Sequence, residues 1–96
     1  MAVAMARVAV AGAWQDFEGA SAAYKNGDYA TAARLLRPLA EQGYVPAQSL
    51  LGVLYDQGQG VQQDYVEAMK WYRLAADQGY APAQNSVGVL YAKGEG

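Results

Sequence analysis

The chain repeats itself every 36 residues, and this period limits what it can fold into more than any other feature. Gln42-Gly43-Tyr44 returns as Gln78-Gly79-Tyr80, Pro46-Ala47-Gln48 as Pro82-Ala83-Gln84, and Gly52-Val53-Leu54-Tyr55 as Gly88-Val89-Leu90-Tyr91. Upstream, Asp28-Tyr29 matches Asp64-Tyr65, Ala32 matches Ala68 and Arg37 matches Arg73; downstream, Gly58 and Gly60 match Gly94 and Gly96. Residues 28–60 laid on 64–96 agree at 17 of 33 positions, where chance gives roughly three. A fixed period of this length is the mark of stacked supersecondary units, each too small to bury its own apolar face.

The unit reads as two helices. Asp64 is a good N-cap, and Glu67 follows three places on, in capping-box spacing. Tyr65, Ala68, Met69, Tyr72, Ala75 and Ala76 then recur at helical intervals as one apolar stripe. Gly79 supplies a left-handed stop. Pro82, like Pro46, sits where a first helical turn tolerates a missing N–H. After Pro46, one face carries Ala47, Leu50, Leu51 and Leu54, and Gly58-Gln59-Gly60 makes the turn. In the first copy Asp28 caps a helix through Ala32, Leu35, Leu36 and Leu39, with Pro38 predicting a kink. Ahead of it, Trp14, Phe17, Ala20 and Tyr24 share a face up to the Asn26-Gly27 turn. The expected architecture is all-α, with five helices in two and a half repeats at about 14–25, 28–41, 46–57, 64–77 and 82–92.

Composition narrows the chemistry. Among 96 residues there is no Cys and no His, which removes disulfide scaffolds, zinc fingers, thiol nucleophiles and imidazole bases. A net charge of −2 argues against nucleic acid as the main partner. Apolar residues make up 53%, but 20 residues are Ala, so bulky core side chains are scarcer than that figure implies. Residues 1–13 are small and apolar around Arg7. They read either as a flexible terminus, Ala-rich and helical or frayed, or as the tail of an export signal with Ala11-Gly12-Ala13 as its cleavage pattern. That apolar stretch is too short for a membrane span. Export would place the protein in the periplasm or outside the cell, and the alternative is the cytoplasm.

The string AQ-x3-GVLY-x2-G-x-G-V-x2-D-Y-x-EA-x-KWY-x-LAA-x-QGY-x-PAQ, at residues 47–84, resembles the Sel-1-like repeat, a relative of the tetratricopeptide repeats. The resemblance covers about residues 20–96. It implies a right-handed α-solenoid over 14–96 and a role as an adaptor that holds other proteins together, in bacteria. Some cysteine-rich relatives bind penicillins or cell-wall fragments; with no Cys here, that activity does not carry over. The last half-repeat ends on consensus, where a solenoid end is expected to be polar, so a piece of a longer array is the expectation.

Against this frame, the chemical motifs shrink. Gly58-x-Gly60 lacks the third Gly and the βαβ setting of a phosphate loop. Asp64 and Glu67 serve as caps, Asp77 sits solvated near a helix end, and no calcium-loop spacing includes Asp56. Tyr29, Tyr55, Tyr65, Tyr72 and Tyr91 fall on stripe or repeated positions and are expected in the core, with Tyr44 and Tyr80 packing at the corners. Mid-helix Gly52 and Gly88 imply close approach of a neighbouring helix, with Trp71 or Tyr72 over the gap. No catalytic residue, metal or cofactor is expected. The informative positions differ between copies while the framework stays fixed. Ser49, Asp56 and Gln57 against Asn85, Ala92 and Lys93, together with Val53 and Val89, are the candidate partner-binding residues on a concave surface. The expected function is a protein–protein interaction scaffold for a protein or peptide. The alternatives are a cell-wall-associated protein binding or hydrolysing peptidoglycan or β-lactam-like compounds, and an inert spacer.

Overall fold

The computed structural model describes residues 2–94, and side chains from Gly12 onward. These residues form five helices: α1 (Ala2–Lys25), α2 (Tyr29–Glu41), α3 (Val45–Gln57), α4 (Tyr65–Asp77) and α5 (Ala81–Lys93). The described chain holds no strand. Each start and stop has a local cause. The Asp28 carboxylate accepts from the Thr31 N–H at 3.3 Å, and that of Asp64 accepts from Val66 at 3.0 Å and Glu67 at 3.1 Å, satisfying amides that α2 and α4 cannot bond internally. The reciprocal half of the capping box is absent. The Asp64 N–H goes instead to the Tyr55 carbonyl, and Glu67 turns to Lys70. α3 and α5 begin with Pro in the first turn and stop at Gly58 and Gly94, both left-handed.

Every helix packs mainly on the helices next to it in sequence. The result is a slab of 43 × 29 × 17 Å, about two helix diameters thin. One buried cluster joins α1, α2, α3 and Trp71 through Ala20, Ala32, Leu36, Ala47, Leu51 and Leu54. A second joins α4 and α5 through Ala68, Met69, Tyr72 and Leu90. The loop after α3 is pinned to the start of α2. Gly60 has φ +74°, and a Cβ there would run into the Tyr29 carbonyl.

The structure departs from expectation at four points. α1 begins at Ala2 rather than near Trp14; the side chains of residues 1–11 lie outside those described. Its buried positions are Ala13 and Ala20 with Phe17 and Tyr24 alongside, whereas Trp14 is 57% exposed. A helix facing one neighbour buries a narrower stripe than the spacing from Trp14 allowed. α2 runs through Pro38 to Glu41 as its expected bounds require, but a Cβ on Gly88 would meet nothing within 4 Å, although that mid-helix glycine implied a close neighbour. Tyr91 is 56% exposed rather than in the core. Its first-copy equivalent, Tyr55, is half-buried beside Val61 and Gln63 of the following loop, and no described residue plays that part for Tyr91. Glu95 and Gly96, the second copies of Gln59 and Gly60, lie outside the described residues.

Candidate functional site

The repeated residues make the joints between successive hairpins. Gln48 donates its side-chain N–H to the Ala40 carbonyl at 3.1 Å, and Gln84 donates to Ala76 at 3.2 Å. Arg37 lies over the Tyr55 ring at 5.7 Å, and Arg73 over Tyr91 at 5.3 Å; Arg37 also donates to the Tyr55 hydroxyl. Each pair recurs at 36-residue spacing and ties the second helix of one hairpin to the first helix of the next. These cation–π and amide contacts add orientation to a joint whose energy comes from burial.

Within a hairpin the contact is different. Tyr72 of α4 lays its ring across Gly52 of α3, so closely that a Cβ on Gly52 would sit 2.7 Å from Cδ1 and Cε1. The ring is 2% exposed. Its hydroxyl donates to the Asp56 carboxylate at 3.2 Å. Burial, then the Asp56 charge and this hydrogen bond, hold the phenol well above its ordinary range, while Ser86 of α5 acts in the opposite direction. Tyr72 thus locks three helices through one side chain.

The seven candidate partner-binding residues separate accordingly. Ser49 is 8% exposed, Val53 packs against the α4–α5 cluster, and Asp56 is the acceptor for Tyr72. Val53 and Asp56 are thus taken up by contacts with α4, and Ser49 is buried within the fold. Gln57 is exposed at the end of α3. Asn85, Val89 and Lys93 are exposed on α5, with Val89 at 42%. Matched candidates therefore differ in exposure: Gln57 and Lys93 are exposed in both copies, whereas Asn85 and Val89 are exposed where Ser49 is buried and Val53 half-buried. Variation between copies could not distinguish a residue facing a partner from one facing its own hairpin. The Asp56–Tyr72 pairing was not legible from the repeat, because neither member is repeated: Asp56 matches Ala92, and Tyr72 matches Leu36.

A groove of about 630 Å³ lies beside the first joint, lined by Arg37, Tyr55, Gln63, Asp64, Glu67 and Lys70. Its charges are largely committed internally, Asp64 to the α4 cap and Glu67 to Lys70 at 3.3 Å. Among the described residues no group of three metal-ligating side chains comes together, and no helix is long and apolar enough to cross a membrane.

Comparison with known proteins agrees with this geometry. A Sel1 repeat protein from Oxalobacter formigenes superposes with a TM-score of 0.67 at 42% identity, covering 70% of this chain and 28% of that one. A protective antigen present in uropathogenic Escherichia coli strains, displaying an SLR fold, superposes with a TM-score of 0.79 at 40% identity, covering 86% and 19%. The chain thus spans less than a third of either relative's length. No protein of curated function matches the sequence. The Sel1 repeat family model matches residues 2–44, 45–80 and 81–96, so the units are α1–α2, α3–α4 and the opening helix α5, and the chain belongs to the Sel1 repeat family.

Proposed function

We propose that this chain is a protein–protein interaction scaffold that takes a protein or peptide partner on its concave helical surface. Sel1 repeat proteins generally act in protein–protein interaction. The observation that carries the reading here is the matched pair Gln57 and Lys93, exposed in both copies and different in residue on a framework that is otherwise repeated. A place that stays on the surface while its residue changes is what a surface reading a particular partner requires. The cell-wall alternative gains no support from the family match or the structural neighbours.

The test is affinity capture from the native host with the immobilised chain, comparing wild type with the double variant Gln57→Ala, Lys93→Glu. A partner retained by the wild type and lost from an equally stable double variant supports the scaffold. Identical capture by both, or by neither, overturns it.

A further inference from the structure

Helices α2 and α4 carry a second surface, apart from the candidates on α3 and α5. Ala30, Arg34 and Pro38 follow one another at four-residue steps along α2, and Val66, Lys70 and Leu74 hold the matching places on α4. Residues four apart share one ridge of a helix. Each ridge reads apolar, cation, apolar. No residue is identical between the two copies, yet all six are exposed. The first ridge stays open although the hairpin α3–α4 follows it, so this openness belongs to the repeat and not to a missing neighbour. Arg37 and Arg73, three places on from the ridge cations, are exposed as well. In a chain of net charge −2 with 7 Lys and Arg, these four therefore gather on the middle of two helices. The acids nearby stand at the margins: Asp64 caps α4, Glu67 pairs with Lys70 at 3.3 Å, and Glu41 and Asp77 end the helices. The cations keep donors to spare. Among the described residues none bonds or pairs with Arg34. Arg37 gives one N–H to the Tyr55 hydroxyl, out of the five a guanidinium carries. The Lys70–Glu67 pair is solvent-exposed and therefore weak.

Two hollows join these groups. The groove of about 630 Å³ beside the first joint has Arg37 from α2 and Lys70 from α4 in its lining. A second, of about 380 Å³, lies on α4 among Val66, Met69 and Leu74, with Lys70, Arg73 and Asp77 beside them. Lys70 lines both, so one ligand can occupy the two. We propose that this surface binds an acidic segment of a partner protein that crosses from α2 to α4, its carboxylates on Arg34, Arg37 and Lys70 and an apolar side chain in the hollow among Val66, Met69 and Leu74. The charge selects the acid, because guanidinium and ammonium donors form their stronger hydrogen bonds with ionised oxygens. The hollow selects a protein over a nucleic acid. Val66 is 71% and Leu74 44% exposed, apolar area that a Leu-sized side chain removes from water and a sugar–phosphate chain leaves wet. Glu41 and Asp77 at the helix ends keep the carboxylates on the middle of the helices.

The probe is a labelled peptide of three Glu-Glu-Leu units, about 30 Å long when extended, titrated with the whole chain by fluorescence anisotropy. Two further peptides carry Gln in place of Glu, or Ser in place of Leu. The expected result is saturable binding of the Glu-Glu-Leu peptide, about fivefold or more weaker to the variant Arg34→Gln, Lys70→Gln and about fivefold or more weaker to Val66→Ser, Leu74→Ser. The Gln and Ser peptides should each bind the wild type more weakly by a similar factor. The substituted side chains are all exposed, so unchanged melts show that the losses are local. Lys25→Glu, exposed at the end of α1, alters the net charge by the same amount as Arg34→Gln, Lys70→Gln and should leave binding unchanged. An equal loss with Lys25→Glu overturns the proposal, because it reports net charge and not a site. Binding of the Gln or the Ser peptide as tight as that of Glu-Glu-Leu overturns it, as does no binding at all. So does tighter binding of a single-stranded oligonucleotide that displaces the peptide, which makes the occupant a nucleic acid, or self-association of the wild-type chain abolished by Arg34→Gln, Lys70→Gln, which makes it a second copy.

Discussion

Gly52 and Gly88 occupy the same place in successive units and meet opposite surroundings. Over Gly52 lies the Tyr72 ring; over Gly88 lies nothing. Substitution by Ala therefore has opposite signs at the two. Gly52→Ala forces a methyl against the ring and costs ~1–3 kcal/mol, whereas Gly88→Ala removes a flexible residue from an exposed helix and gains up to ~1 kcal/mol. Urea melts of both variants check this, and shifts of the same sign would contradict it. Tyr72 adds a pH dependence. Its phenol is raised in the fold, so the folded state favours the neutral form. The associated stability is complete below the unfolded phenol value near 10 and is lost as pH rises through that value toward the higher folded one. Melts between pH 8 and 11 should fall more steeply for wild type than for Tyr72→Phe; parallel curves would show that Tyr72 titrates without consequence. The glycine and its ring were legible from the sequence because mid-helix Gly needs a packing reason. Asp56 as the hydroxyl's acceptor was not, because its counterpart is Ala92 and no repeated pattern marked it.

Helix limits were legible to within a residue for α2 to α5, since Asp caps, first-turn Pro and left-handed Gly all act locally. The start of α1 was not, because a run of Ala and Val carries neither stop nor cap. The segment between α3 and α4 shows how a turn becomes a tertiary element. Gly60 backs onto the Tyr29 carbonyl, Gln63 donates to the Asp56 carbonyl at 2.7 Å, and the Asp64 N–H reaches Tyr55. Gly60→Ala imposes left-handed strain of ~1–3 kcal/mol and a backbone collision on the same atom. Asp64→Ala removes only the α4 cap, at ~1 kcal/mol. Thermal melts should therefore rank Gly60→Ala as the more damaging; the reverse order would mean that this segment is not anchored on α2.

Because each helix packs mainly on its chain neighbours, stability is distributed as local terms rather than held in one centre. α5 buries only Ala83 and Leu90, against six residues of α3. Its amides should exchange with solvent about tenfold or more faster than those of α3; equal protection would indicate that the slab opens only as a whole. The exposed Tyr91 was the hardest feature to foresee, since its repeated position reads as core in both copies. The contacts linking one hairpin to the next use the residues that do not change between copies: Gln48 and Gln84, Arg37 and Arg73, Tyr55 and Tyr91. Connectors of one standard gauge make the modules interchangeable. An array built this way can lengthen or shorten by whole modules through duplication and recombination, with no redesign of the seams, while each module's interior drifts on its own course.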